Sequence, residues 1–265
     1  MNNLFVVVGT YINTPYLQEA HERERVAQAI ESQGYSVART FVPWPRDHYV
    51  FCNKHYVIRK QFTDRARKGC GEGGYFQLGH EFLLVSEYVL GIRDDHACVE
   101  YTVGKQYPCK RVHVLPIGYQ KKRTYIRRLE HIDLTCLLIP SRKLFLVDKS
   151  FYQTDAAQAK HVEPLFQNIA EQEGLMFAWY APEGDTSKFF PLNCLVLPKD
   201  GDEIVFANKN TPCLTRILHK YDLPVVEVDV QIAPQMSSGS IRCITNTKEA
   251  KKSLGELLCT SERTL

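Results

Sequence analysis

No run in the 265 residues approaches the ~20 consecutive apolar residues that a membrane-spanning helix requires, so no membrane partner is expected. A strong charge of one sign is also missing. The 33 Lys+Arg nearly balance the 30 Asp+Glu, and a net charge of +3 is too small to argue for nucleic acid by itself. Paired metal or dithiol spacings are absent. The nine cysteines are scattered, and the two nearest, Cys98 and Cys109, are eleven positions apart, so no Cys-x-x-Cys exists. The amino end, Met1-Asn2-Asn3 followed by residues 4–8, has neither the basic start nor the long apolar stretch of a secretory signal. Odd, dispersed cysteines without such a signal read as reduced thiols, so a cytoplasmic location is expected. Low-complexity stretches and linkers are lacking too, which favours one domain over residues 1–265.

What is present is ordinary globular composition and a repeated unit. With 44% hydrophobic and 24% charged residues, the chain has material for a large core. An amphipathic helix, a helix stop and a strand recur in that order. Residues 19–32, 155–173 and 211–220 carry apolar side chains at helical spacing. Gly34, Gly174 and Tyr221-Asp222 follow them, and residues 35–42, 175–180 and 223–230 read as strands. Residues 94–105 and 111–115 form a weaker copy. Between the units lie paired short strands at 49–52 with 56–58, 134–139 with 143–147, and 192–197 with 203–207. A strand, strand, helix, strand order at a spacing of roughly 50–70 residues predicts an α/β array of propeller type. In such an array, inter-strand loops distant in sequence meet near the axis, so a site is to be sought in loops of different copies.

Four loops hold polar groups that folding alone explains poorly. They are Pro43-Trp44-Pro45-Arg46-Asp47, Glu72-Gly73-Gly74, His131-Ile132-Asp133, and Ser237-Ser238-Gly239-Ser240 leading into a strand that carries Cys243. Singly, each has a plain structural explanation. Asp after a strand is a common turn residue, Glu between glycines is a solvated turn, and Cys in an apolar strand is usually inert core.

In combination and order, these residues resemble the guanidine-modifying, or pentein, superfamily, which includes arginine deiminase, agmatine deiminase, dimethylarginine dimethylaminohydrolase and the amidinotransferases. The resemblance covers residues 40–245 and rests on Arg46-Asp47, Glu72-Gly73-Gly74, His131-Ile132-Asp133 and Cys243. It implies a five-bladed ββαβ propeller and a cofactor-free, metal-free hydrolase of a small guanidino compound, with no nucleic acid and at most a homodimer as assembly. Cys243 is implied as nucleophile and His131 as general acid and base. Asp47 and Glu72 are implied to hold the guanidinium, and Asp133 either to join them or to orient His131. The chemistry needs these types. A guanidinium is a planar cation with five N–H donors, matched by paired carboxylates, and its central carbon yields to a thiolate. An amidinotransferase would use the same covalent intermediate, whereas a binding module would need the carboxylates but not Cys243.

Trp44 stands where relatives often place an aromatic wall for the substrate's stem, and it is equally a core aromatic between two prolines. Tyr75 occupies a position where many relatives carry Asp, so one recognition carboxylate is missing or supplied elsewhere. Arg242 could meet a substrate carboxylate, but strand alternation predicts that it points away from Cys243.

Three other features carry less. Residues 69–74 match Gly-x-Gly-x-x-Gly, but no apolar strand precedes them and no clear helix follows, as a dinucleotide fingerprint requires. His80-Glu81 lacks the second His of a zinc helix. The basic stretch 121–128 reads as a solvated loop.

Overall fold

The computed structural model describes residues 4–10, 17–52, 55–58, 72–91, 95–107, 111–121, 124, 126–152, 156–181, 187–237, 239–249, 251 and 253–258. In chain order the amino-terminal elements are β1 (Leu4–Gly9), α1 (Leu17–Ser32), β2 (Ser36–Thr40), β3 (Tyr49–Cys52) and β4 (His55–Ile58). Next come β5 (Phe76–Leu78), β6 (Phe82–Ser86), α2 (His96–Gln106), β7 (Arg111–Leu115), β8 (Gly118–Lys121) and β9 (Ile126–Leu129). Then follow β10 (Cys136–Ile139), β11 (Leu144–Asp148), α3 (Ala156–Glu173), β12 (Met176–Tyr180), β13 (Leu195–Lys199) and β14 (Asp202–Asn208). The chain continues through α4 (Pro212–Lys220), β15 (Val225–Val228), α5 (Ile232–Ser237), β16 (Thr245–Glu249) and α6 (Leu254–Leu258).

Among the described residues, one sheet pattern recurs four times. In β5-β6-β7, β10-β11-β12, β13-β14-β15 and β16-β1-β2, the middle strand is antiparallel to the first named and parallel to the last. Each parallel pair is joined by a helix, respectively α2, α3, α4 and α1, because parallel neighbours need a crossover. The fold is therefore α/β. β3-β4 and β8-β9 are two-stranded antiparallel ribbons.

The fourth sheet differs in one respect. Its antiparallel partner, β16, comes from the far end of the chain and pairs Val8 with Thr245. This brings the loop before β16 beside the loop after β2. The sheets bury their middle strands almost completely, as in Val6 to Val8, Leu83 to Val85 and Leu144 to Val147. That explains why these strands read as continuous apolar runs rather than as alternation. The helices cover them with Val26, Ala27 and Ile30 of α1, Phe166 and Ile169 of α3, and Leu214 and Leu218 of α4.

Sequence patterning locates the helices and most crossover strands but misplaces some edges. The strand expected at 192–197 begins at Leu195, with Leu192 to Cys194 forming its approach. β5 and the β8-β9 ribbon had no clear pattern, the latter because a basic stretch masks its pairing. Its residues 122, 123 and 125, like the glycine-rich 69–71, lie outside the described residues.

The strand expected to carry Cys243 is instead a turn over residues 241–244, and β16 starts only at Thr245. The turn is closed by Ile244 N–H donating to Ser240 C=O and Thr245 N–H donating to Arg242 C=O. The alternation argument for Arg242 therefore does not apply. His131 likewise precedes a 3-10 turn, Ile132–Leu134, rather than starting a strand.

Candidate active site

Asp47 ends the 3-10 turn Pro45–Asp47, which proline opens with its pre-set φ. The turn is fastened to the far end of the chain. Asn246 of β16 donates from Nδ2 to Pro45 C=O at 3.0 Å and to Tyr49 C=O at 2.9 Å. On the other side, buried Arg23 of α1 donates to Gly9 C=O at 3.0 Å and to Pro43 C=O at 2.5 Å. Glu19 balances its charge at 2.7 Å. Arg23 also lies 4.6 Å over the Trp44 ring. Trp44 is half-buried and packs against two core clusters, so the core role foreseen for it is real, and its edge still reaches the Cys243 loop.

Glu72 stands directly before a second 3-10 turn, Gly73–Tyr75. The glycine at 74 is required by a close approach, since a side chain there would overlap Nδ1 of His131. The imidazole thus lies against the turn backbone, with Glu72 Oε2 2.7 Å from Nε2. Tyr75 is buried and meets the imidazole edge-on, ring centres 4.7 Å apart at 80°. Where the resemblance implies another carboxylate, this chain packs an aromatic against the histidine.

Cys243 sits in the 241–244 turn, 4% exposed, its thiol directed at Asp133 Oδ2 at 3.9 Å. Asp133 is fully buried. Arg242 Nε lies 3.5 Å from the same carboxylate oxygen. Asp47, Glu72 and His131 bring one oxygen or nitrogen each to within 4.8 Å of one another, close enough to share one small cation, organic or metallic. Sequence-distant residues from four loops, Asp47, Glu72, His131 with Asp133, and Cys243, therefore converge.

The electrostatics follow from burial and from these pairings. Burial depresses the His131 pKa, but hydrogen bonds to Cys243 and Glu72 and the charges of Asp47 and Glu72 hold it well above the usual imidazole value. Burial, then the Asp133 carboxylate, pushes the Cys243 thiol up to about 11, against the bond and charge of His131. Asp133 is raised by burial, opposed by Arg242, His131 and Arg46. Arg46, buried in the same cluster, is lowered to about 10 by burial and by Arg242. These surroundings thus favour the charged form of the imidazole and the neutral form of the thiol. A cation bound among the carboxylates would shift the thiol toward thiolate.

One residue of this neighbourhood carries no sequence signal of its own. Asn193 bonds to both the Cys243 turn and the Asp133 turn, and its mark in the sequence is only one polar residue inside an apolar approach to a strand. The role of Tyr75 beside His131 and of Arg242 beside Asp133 emerges only once the loops meet.

No protein-family model matches the chain, and no curated protein matches it by sequence. Solved structures do match in fold. DDAH from Pseudomonas aeruginosa, complexed with citrulline, superposes with a TM-score of 0.60 over 94% of this chain and 100% of its own, at 10% identity. ArgZ, an arginine dihydrolase from the ornithine-ammonia cycle in cyanobacteria, gives 0.63 over 97% of this chain and 40% of its own, at 14% identity. An inosamine-phosphate amidinotransferase from Streptomyces griseus gives 0.58 over 95% of each chain, at 14% identity. The likeness is one of fold: this chain has the fold shared by these guanidino-modifying hydrolases and amidinotransferases of the pentein superfamily.

Proposed function

We propose that the chain is a cofactor-free hydrolase of a small guanidino compound, arginine or a derivative, working through a covalent adduct on Cys243. The observation that carries the reading is the convergence of a buried thiol, an imidazole bonded to a carboxylate, and further carboxylates within one cluster. The guanidinium's N–H donors face Asp47 and Glu72, with Trp44 along the stem, and Asp133 completes the charge balance near the thiol. As the cation settles, the Cys243 thiol gives up its proton to solvent, and the thiolate Sγ attacks the central carbon. His131 protonates the departing nitrogen as the C–N bond breaks, leaving a thiouronium on Sγ. His131 then takes a proton from water as its oxygen attacks the same carbon. The C–S bond breaks, releasing a ureido product and the thiolate. An amine in place of that water would make the reaction an amidinotransfer, and the matching amidinotransferase fold keeps this as the second reading.

The four three-stranded sheets, with the β3-β4 ribbon as the antiparallel pair of a fifth, are read as five blades of one domain in a cytoplasmic enzyme, which needs no nucleic acid or membrane and is compatible with a homodimer. Variants test the roles. His131→Ala should abolish turnover, while Asp47→Ala and Glu72→Ala should chiefly raise KM. Unchanged turnover in His131→Ala would end the mechanism.

A further inference from the structure

Asn193 lies outside the four polar loops, in the approach to β13, and is 1% exposed. Its side-chain Oδ1 accepts the N–H of Ser240 at 2.9 Å and the N–H of Cys243 at 3.2 Å. Its Nδ2 donates to the Asp133 carbonyl at 2.9 Å. Its own carbonyl accepts the Arg242 N–H at 3.1 Å. Four hydrogen bonds from one residue therefore tie the turn carrying Cys243 to the turn carrying Asp133, across 50 and 60 residues of sequence.

The backbone that delivers Asn193 is itself constrained. Phe190, three positions earlier, adopts φ +48°, a left-handed conformation that is unfavourable for a side-chain-bearing residue. Its carbonyl accepts the Asn193 N–H at 2.9 Å. The Phe190 ring is buried, 6.2 Å from that of Phe151, and so fixes the turn in the core. Such strain persists where the surroundings over-determine it, and here it presents a single amide to two turns whose side chains face each other at 3.9 Å.

We propose that Asn193 is a positioning residue for the nucleophile, its carboxamide setting the separation and line of approach between the Cys243 thiol and the Asp133–His131 side of the site. The proposal rests on the reading of Cys243 as nucleophile. Asn193 touches no substrate; it acts through the main chain of the residues that do. Neither a hydrophobic residue nor a Ser of shorter reach can make bonds of both polarities across this gap.

The test is the second-order rate at which 2-chloroacetamidine alkylates Cys243, the Sγ–C bond forming as chloride leaves. It is followed by peptide mass spectrometry from about pH 7 to about pH 11, alongside thermal unfolding of the same samples. Asn193→Ala should lower the rate on the order of 10²-fold, as expected for a reacting atom displaced by about 1 Å. Asn193→Asp keeps an acceptor for Ser240 and Cys243, so it should retain more of the rate than Asn193→Ala. Its carboxylate lies near the thiol, so its pH profile should move to higher pH.

Wild-type rate and profile in both variants would overturn the proposal. So would rates that fall only in proportion to the folded fraction, or a failure of both variants to fold, since Asn193 would then be a folding residue alone. A wild-type chain that shows no preference for Cys243 removes the nucleophile reading first, and the proposal with it.

Discussion

Gly239→Ala offers a sharp perturbation of the site. A Cβ added to Gly239 would stand 2.8 Å from Cys243 Cβ, 3.1 Å from Cys243 Sγ and 3.0 Å from Trp44 Cζ3. Ordinary carbon contacts lie at about 3.5 Å or beyond, so the groups must separate by about 0.7 Å. Neither obstacle is a free side-chain end. Cys243 Cβ is fixed by a turn whose N–H groups bond to Asn193, and the Trp44 ring lies beneath Arg23. The expected stability loss is that of a local overpacking, about 1–3 kcal/mol. Reactivity should suffer as well, since a displacement approaching 1 Å costs up to about 10²-fold when attack geometry is set by the protein.

The assay is the rate of 2-chloroacetamidine alkylation at Cys243, with urea unfolding for stability. Gly201→Ala is the control. Gly201 has φ +86°, and a Cβ there would meet nothing within 4 Å, so the substitution should destabilise without altering the alkylation rate. An alkylation rate in Gly239→Ala within about twofold of wild type would refute the reasoning, because the close approach to Cys243 and Trp44 would then be harmless.

Two further outcomes follow from the charges. With no cation bound, the Cys243 thiol titrates near 11, so alkylation by neutral iodoacetamide should climb about tenfold per pH unit from pH 7 upward without a plateau below about pH 10. Asp133→Asn removes a carboxylate that raises this value and should move the profile to lower pH; an unmoved profile would deny their coupling. Asp148 concerns stability instead. Burial pushes its carboxyl up to about 6 despite its bonds to Ser150. The folded chain therefore holds this proton longer than the unfolded chain. The group costs nothing below its ordinary value of 3.8, and stability falls as pH rises from there to about 6, by up to about 3 kcal/mol. The stability difference between Asp148→Asn and wild type should grow in the variant's favour over that window, and a difference independent of pH would contradict the assignment.

The sequence was most legible where one physical rule acts alone. Helical periodicity located α1, α3 and α4 because each buries apolar side chains at helical spacing, and the run at 111–115 coincides with β7. It misled where a local rule met a tertiary constraint. The apolar stretch around Cys243 looks like a strand, yet Asn193 captures the N–H groups of Ser240 and Cys243 and holds the segment as a turn. Arg242 consequently reaches Asp133, contrary to strand alternation. Asp47, Glu72, His131 and Cys243 could be singled out because their combination and order resemble the pattern of a known family, although each alone has a plain structural reading. Asn193 could not, since a carboxamide acquires its role only from the two turns it joins. The glycine at 74 is intermediate: its pattern was visible, whereas the reason, a histidine ring lying against its backbone, needed the packed loops.

The covalent role of Cys243 is most directly tested by acid-quenched mass spectrometry. Wild-type protein is mixed with arginine, a methylated arginine, agmatine or an arginyl peptide and stopped at short times. One of these compounds should be converted to its ureido product while the Cys243 peptide carries a transient thiouronium, and both signals should vanish in Cys243→Ser. Conversion that persists in Cys243→Ser, or an adduct on another of the nine cysteines, would contradict it.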